Sequence, residues 1–398
     1  MILKDVAVVG AGPSGLALAL MLARQGRRVV VHERFDRPRP VGAGFMLQPT
    51  GLHVLDTLEL GAEAEAVGAP IQRLFGREAR RRRIVLDVGY AALNRPRTAV
   101  GIHRTAMFDL LFKACVAEGV VFETRREITG ASEGRLTDSR GWTSAGFDLV
   151  VDASGARSAI AAALRPRRTE LAYGALWTTV PQPGAPFDPA ALEQVYRGAA
   201  RMIGVLPCGR GPDGERCATF FWSLKPAQYG AWREVGLEAW KAEVLSLWPE
   251  TAPVLAAIED ADQLTLARYG HHTLGRPCAN RVAVIGDAAH ATSPQLGQGV
   301  NMGLLDAWVL ARALESSADL EAALFAYCRE RRWHVRLYQA LSLIFTPFYQ
   351  ADGALLPWVR DHVLGKVARL PMADRLLAAT VSGLLLDPRR ADRTFTAS

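Results

Sequence analysis

Two stretches of this chain set glycines and carboxylates at spacings that suit phosphate and ribose binding. The first, Gly10-Ala11-Gly12-Pro13-Ser14-Gly15, fits a G-x-G-x-x-G turn, and the acidic Glu33 follows at the end of the next apolar run. The opening N–H groups of a helix are unpaired and carry partial positive charge, so a helix entered through such a turn seats a pyrophosphate. Gly10 then permits the tight turn, Gly12 lets backbone approach phosphate with no Cβ between, and Gly15 lets helix and strand pack closely. A carboxylate at Glu33 accepts hydrogen bonds from ribose hydroxyls and repels a 2′-phosphate, although the adjacent Arg34 offsets part of that repulsion. The second stretch runs Gly286-Asp287-Ala288-Ala289-His290, then Pro294-Gln295-Leu296-Gly297-Gln298-Gly299-Val300-Asn301-Met302-Gly303, with Asp306 beyond.

A glycine pattern means little without the elements around it. Val6 to Val9 is a β-branched run, Leu16 to Arg24 reads as an apolar helix, and Arg28 to Glu33 as a second strand, which together make a βαβ unit. Gly209-Arg210-Gly211-Pro212-Asp213-Gly214 matches the same pattern. There Pro-Asp-Gly is turn chemistry and Cys217 to Trp222 reads as a strand, so a hairpin loop is expected. Arg281 to Asp287 reads as a buried strand and Gly299 to Ala313 as a helix, so the chain returns late to its first sheet. Between them, Leu176 to Val180, Met202 to Leu206 and Ala218 to Trp222 are strand-like and aromatic, which predicts an inserted, mostly antiparallel sheet. From about Leu320 onward the chain reads as helical, interrupted by Pro347, Pro357 and Pro371.

Composition narrows the class. Hydrophobic residues at 49% and charged residues at 22% of 398 support a large core and exclude a disordered, collagen-like or disulfide-framed chain. With 47 Lys+Arg against 40 Asp+Glu the net charge is +7. The densest run, Arg80-Arg81-Arg82-Arg83, has no interleaved aromatic residue and reads as a solvated face rather than a nucleic-acid site. Five cysteines, an odd number without C-x-x-C spacing, indicate neither a zinc site nor a disulfide framework, and a reducing cytoplasm is expected. No secretory signal precedes the first strand, and no uninterrupted apolar run reaches the ~18 residues a spanning helix needs.

The second glycine stretch, taken with the first, resembles the single-component, FAD-dependent aromatic hydroxylases, the class A flavoprotein monooxygenases, over residues 1 to about 320. The resemblance implies an α/β fold: a GR2-type, Rossmann-like FAD domain with an inserted, mostly antiparallel substrate sheet and a C-terminal helical region. The expected boundaries are 1–165 and 271–320 for the FAD domain, 166–270 for the inserted sheet and 321–398 for the tail. By position, Gly10, Gly12, Pro13, Ser14, Gly15, Glu33 and Arg34 would hold the ADP half of FAD. Asp287 would bind the ribityl chain, and Arg104, opening a helix, would contact the phosphate and ribityl region. Pro294, Gly297, Gly299, Val300 and Asn301 would line the isoalloxazine. A helix starting near Gly299 would aim its donors at the flavin edge where charge collects on reduction. Aspartate after glycine is also a common turn or cap residue, and His290 reads as a satisfied, partly buried structural histidine.

One departure stands out. The family carries a D-G-x-x-S-x-x-R motif tied to FAD and NAD(P)H, whereas this chain reads Asp152-Ala153-Ser154-Gly155-Ala156-Arg157-Ser158, with Ser154 for the aspartate and Ala161 for the closing arginine. The family chemistry implies hydride transfer from NAD(P)H to FAD, then O₂ and a flavin C4a-hydroperoxide that hydroxylates an aromatic or quinone-like small molecule. A dry, apolar pocket suits that chemistry. Phe45, Met46, Trp177, Tyr196, Met202, Phe220 and Trp222 are candidates for its wall, and each would serve equally as sheet core. Tyr269, His271 and His272 precede the second flavin strand, where a His-His pair reads as a solvated loop, and no catalytic base is assigned. The alternatives are a flavin-dependent dehydrogenase or reductase without oxygen transfer, and a non-catalytic FAD-binding redox partner. A monomer or homodimer is expected, with no nucleic acid and no metal. The tail around Trp358-Val359-Arg360 could cover the pocket, form a dimer face or touch a membrane; a packed helical lid is the default expectation.

Overall fold

A computed structural model describes residues 3–37, 42–94, 97–353, 355–364 and 371–389. The strand Asp5–Val9 forms because Val6 to Val9 can be buried on both faces of a sheet, which suits a parallel arrangement covered by helices. It lies inside a six-stranded sheet ordered Cys278–Ala279, Val282–Val284, Leu149–Asp152, Asp5–Val9, Arg28–His32, Val121–Glu123. Only the short edge strand Cys278–Ala279 is antiparallel. The helices Pro13–Arg24, Arg104–Ala117 and Gly299–Ser316 share one apolar core against this sheet. The expected βαβ unit and the late return of the chain are both present, since Val282–Val284 pairs with Leu149–Asp152.

The second sheet has seven strands, ordered Thr265–Ala267, Gly174–Pro181, Arg216–Leu224, Arg201–Arg210, Ala191–Arg197, Arg73–Glu78, Ile84–Gly89. All neighbours are antiparallel except Ala191–Arg197 with Arg73–Glu78. The stretch 73–89, counted with the first flavin segment by the expected boundaries, therefore pairs with the inserted strands. A three-stranded sheet, Phe45–Leu47, Ala99–Ile102 and Ala69–Ile71, lies against the strand Arg201–Arg210. Gly209-Arg210-Gly211-Pro212-Asp213-Gly214 is the hairpin connection between Arg201–Arg210 and Arg216–Leu224, with Gly209 and Gly214 at positive φ.

Side-chain alternation gives the seven-stranded sheet two different faces. On the outer face Leu176, Ile203, Val205, Phe220, Trp222 and Leu224 pack with Trp232, Trp240 and Trp248. On the inner face Trp177, Tyr196, Met202, Leu206, Cys208 and Phe221 pack toward Met46 and the tail. Phe220 and Trp222, expected in a pocket wall, are thus corrected to the outer core, where both meet the Trp240 ring edge-on. The run from Cys217 to Trp222 is apolar at every position but Thr219, so hydrophobicity alone does not reveal the faces.

After the 30-residue helix Leu320–Tyr349 come the helix Leu355–Val359, the π-helical turn Arg360–Leu364 and the helix Pro371–Val381. The C-terminal end of Pro371–Val381 and the residue after it reach back to the second glycine stretch and to the helices Pro49–Thr57 and Leu320–Tyr349. Thr50 Oγ1 donates to the Ser382 carbonyl (3.2 Å), Tyr338 to Thr380 (3.0 Å), and Gln298 Nε2 to Val381. Among the described residues no helix is long and apolar enough to cross a membrane, and no His/Cys/Asp/Glu group could hold a metal ion. All five cysteines are free.

Candidate functional site

The turn after Asp5–Val9 gives each glycine a separate physical requirement. Gly10 has φ +101°, and a Cβ there would meet the Ala153 carbonyl oxygen at 2.7 Å. A Cβ on Gly15 would lie 2.1 Å from the Gly10 carbonyl oxygen, so the helix Pro13–Arg24 packs onto the turn only through glycine. At Gly12 a Cβ would meet no protein atom within 4 Å, and the backbone is extended (φ −78°, ψ 174°). Among the described residues nothing forbids a side chain at Gly12, and the open space beside it would admit a phosphate. Pro13 occupies the first helical turn, where its missing N–H costs nothing.

Ser14 sits against the second glycine stretch, since Cβ atoms on Gly286 and Gly303 would approach its Oγ at 3.0 and 2.1 Å. Glu33 is buried at the end of the neighbouring strand, its Oε2 accepting from Ala11 N (2.9 Å) and its Oε1 from Phe35 N (3.2 Å). Those bonds fix the carboxylate beside the glycine turn. Arg34 is exposed, with its guanidinium 4.8 Å from the Phe35 ring centroid.

The second glycine stretch lies against the first through Ser14. Asp287 is exposed and makes no hydrogen bond or ion pair to another described residue, although its Oδ1 would be 3.6 Å from a Cβ on Gly299. Gly299 opens the 18-residue helix Gly299–Ser316, so this carboxylate stands beside that helix's unpaired N–H groups. Arg104 opens the helix Arg104–Ala117, reaches solvent, and is walled by Gly42 and by Phe45, whose ring centroid is 5.2 Å from its Cζ. Desolvation lowers its pKa, and the charges of Asp287 and Tyr269 oppose that shift. Pro294 opens a short 3-10 turn that ends at Gly297 in the left-handed region, with Met46 Cε 3.0 Å from where a Gly297 Cβ would be. Val300 is half-buried against the flavin-side core.

Asn301, expected among the lining residues, is fully buried. Its Oδ1 accepts from Gln48 N (2.8 Å), and its Nδ2 donates to the Met46 (3.1 Å) and Gly297 (2.9 Å) carbonyls. It therefore braces the strand Phe45–Leu47 against the Gly297 turn. His290 is buried as expected of a structural histidine, and its partner is the fully buried Asp306. Asp306 also accepts from Gly286 N (2.8 Å) and from Arg331 Nε (2.6 Å). Burial would raise the Asp306 pKa, but the charges and hydrogen bonds of His290 and Arg331 outweigh it and hold the carboxyl well below its usual range. Arg331 Nη1 continues to His334 Nδ1 (2.9 Å), and His334 Nε2 to the Gly383 carbonyl (3.1 Å). Burial first, then Arg331, pushes His334 down to about 3. Asp306 lies in the second stretch and was visible; Arg331 and His334 sit in a helix whose sequence carries no signal for them.

Asp152 ends its strand fully buried, accepting from Ser154 N (3.0 Å), Ser154 Oγ (2.6 Å) and Ser158 Oγ. Ser154 thus fastens the turn beside Gly10. Ala161 is fully buried against Val284, Ala288 and Ala289, which leaves no room for an arginine. The departure from the family pattern is a packed alternative.

On the substrate side, Trp177 is half-buried and lies 4.8 Å from the Phe221 ring at 31°, while its Nε1 donates to Tyr269 Oη (2.6 Å). Burial raises the Tyr269 pKa against the opposing Trp177 hydrogen bond and Arg104 charge. Tyr269 therefore stays protonated and joins the flavin cleft to the inner face. Phe45 and Met46 stand at the same junction. Met202 and Tyr196 lie on the inner face but are buried, Tyr196 bonding Gln194 Oε1 (2.9 Å) beneath Tyr349. His271 and His272, expected in a solvated loop, are both buried: His271 Nδ1 meets Gln339 Oε1 (3.3 Å) and His272 Nε2 meets the Ala288 carbonyl (3.0 Å). Burial lowers both pKa values. Phe221, as buried as Met202, lies on the same inner face behind Trp177; the sequence did not single it out because its outward neighbours Phe220 and Trp222 are as aromatic as it is.

These residues fit a bound FAD. Open space at Gly12, a carboxylate fixed beside the glycine turn, an Asp287 with no partner among the described residues and an arginine walled by Gly42 and Phe45 are features such a cofactor would use. Residues 4–340 match the family described as FAD binding domain. The chain is 31% identical over 380 residues to a 2-heptyl-3-hydroxy-4(1H)-quinolone synthase of Mycobacteroides abscessus, covering 91% of this chain and 94% of that protein. It is 27% identical over 394 residues to an aurachin C monooxygenase/isomerase of Stigmatella aurantiaca, with 96% and 98% covered. The solved structure of Klebsiella pneumoniae HpxO complexed with FAD and uric acid superposes with a TM-score of 0.82 at 20% identity over 97% of this chain and 98% of that one, a likeness of fold.

Proposed function

The chain belongs to the FAD-binding-domain family of FAD-dependent monooxygenases, and from that premise we propose that it hydroxylates a flat, neutral nitrogen heteroaromatic bearing a ring carbonyl, of the 4-quinolone type. The overall change is NAD(P)H, a proton, O₂ and the aromatic C–H going to NAD(P)⁺, water and the hydroxylated ring. FAD, when bound, supplies the redox and oxygen chemistry; the protein supplies position and dryness.

The observation that carries the substrate class is the junction of Trp177, Phe221 and Tyr269. Two aromatic rings make a wall for a planar molecule, and the protonated Tyr269 offers one O–H to a carbonyl acceptor. Two relatives whose names specify quinolone or aurachin chemistry support the same class. Gly12, Glu33, Arg34, Arg104, Asp287 and the N-terminus of Gly299–Ser316 are the groups that hold FAD in this reading, with Ser14 and Asn301 bracing them. Tyr196, Met202 and Met46 form the wall behind. The chain works as a monomer or homodimer, and its free cysteines suit the cytoplasm.

The test is NAD(P)H oxidation by FAD-loaded enzyme with 2-alkyl-4(1H)-quinolones, urate and hydroxypyridine carboxylates in parallel. Selective stimulation by the quinolones, with a hydroxylated product, is expected. Stimulation by the anionic rings alone would refute the substrate class, and flavin reduction without an oxygenated product would favour the reductase reading.

A further inference from the structure

The turn joining Arg73–Glu78 to Ile84–Gly89 carries Arg80, Arg81, Arg82 and Arg83, all exposed. The Arg80 and Arg81 guanidinium groups have no carboxylate partner among the described residues; Glu78 accepts only their backbone N–H groups (3.0 and 2.6 Å). Glu250 is shared by Arg77 and Arg82 (3.0 and 2.8 Å), and Asp361 is bound to the buried Arg360. At the turn itself five arginines, Arg77 and Arg80 to Arg83, stand against Glu78 and Glu250, so a net positive surface remains.

Apolar side chains stand beside it. Arg83 hydrogen-bonds His362, and the His362 ring stacks on Trp358 at 4.9 Å and 19°. Trp358 is 55% exposed and Leu355, three residues earlier on the same short helix, 71%. The helix Pro371–Val381 packs on the same edge strand, Ile84–Gly89, and leaves Met372 88% and Leu376 58% exposed at i, i+4. Apolar side chains so exposed call for a covering surface. An indole with a leucine, joined through His362 to a turn that carries more arginines than carboxylates, suits the boundary of an anionic bilayer, where tryptophan sits at headgroup depth and arginines meet lipid phosphates.

We infer that this face, Arg80 to Arg83 with Leu355 and Trp358, docks the enzyme on anionic membrane surfaces. Stable docking needs both an apolar and a basic contribution, and the face supplies the two side by side. The inference does not depend on the substrate class, because it concerns a surface rather than the cleft.

The experiment is flotation of full-length, FAD-loaded enzyme with vesicles of phosphatidylcholine alone or mixed with phosphatidylglycerol, at low and high salt. Binding to the mixed vesicles, weakened by salt, is expected. Arg80→Glu with Arg81→Glu should weaken it by more than tenfold, since one basic residue near such a surface is worth about fivefold. Trp358→Ser with Leu355→Ser should abolish what survives in high salt. All four side chains are exposed, so flavin content and turnover of soluble substrate should stay unchanged in both variants. No flotation with the mixed vesicles, equal flotation with neutral lipid, or a dimer in solution that Trp358→Ser dissociates would overturn the inference, the last by showing that a second copy covers the face.

Discussion

In the six-stranded sheet the groups proposed to hold FAD are backbone N–H groups at a strand-to-helix turn, with a few charged side chains set at element ends. In the seven-stranded sheet the groups proposed to meet substrate are side chains along one surface. Both sheets carry a G-x-G-x-x-G sequence, yet only the first copy stands between a parallel strand and a helix. The second joins two antiparallel strands, and its glycines serve the hairpin. Binding through backbone depends on residue type at single positions; binding through a sheet face depends on which way alternate residues point.

The largest effect should come from Gly12. Ala at this position meets no protein atom and no backbone strain, so Gly12→Ala should fold normally and lose nearly all bound FAD on gel filtration. Gly211→Ala in the hairpin should keep full flavin, its Cβ reaching Asp213 Oδ1 only at 3.1 Å. The opposite pattern would break the comparison.

The two faces of the second sheet separate next. Phe220→Ala should cost about 3–5 kcal/mol of stability by denaturant titration, with turnover per folded molecule retained, because Phe220 lies in the outer core. Phe221→Ala, one residue on, should cost stability too, because Phe221 is buried on the inner face, but should in addition raise the substrate KM by removing the ring that backs Trp177. Tyr269→Phe should raise the substrate KM up to about tenfold, the worth of one neutral hydrogen bond, with flavin content unchanged. An unchanged KM would remove Tyr269 from the substrate side.

The last effect is read against pH and concerns the latch behind the helix Gly299–Ser316. His334 is held neutral in the fold, so below an unfolded pKa of about 6.5 the unfolded chain binds the extra proton and stability falls with acid by about 1.4 kcal/mol per pH unit toward the folded value. That folded value is about 3. His334→Gln keeps a donor for the Gly383 carbonyl and should remove one proton's share of the acid dependence between pH 4 and 6. A stability profile of unaltered slope would mean that His334 is not held neutral.

What the sequence revealed follows the same division. Gly10 and Gly15 were readable because only glycine fits the turn and the helix packing there, Gly12 because of its spacing from them, and all three because the flanking elements are strongly patterned. The second stretch was readable because it is long. Phe220 and Trp222 were misplaced because both faces of their strand are buried, which erases the alternation that would show direction. His271 and His272 looked like a loop pair because the residues that bury them, such as Gln339, come from a helix some 70 positions later. Arg331 and His334 gave no local sign for the same reason. Ala161 read as a missing arginine, and the packing around it shows that the site is filled in another way.

The most direct test of the account is isotopic. FAD-loaded enzyme supplied with NAD(P)H, a 2-alkyl-4(1H)-quinolone and ¹⁸O-labelled dioxygen should yield a hydroxylated ring carrying one heavy oxygen. A product whose new oxygen comes from water, or NAD(P)H consumption that yields only hydrogen peroxide with every ring offered, would contradict it.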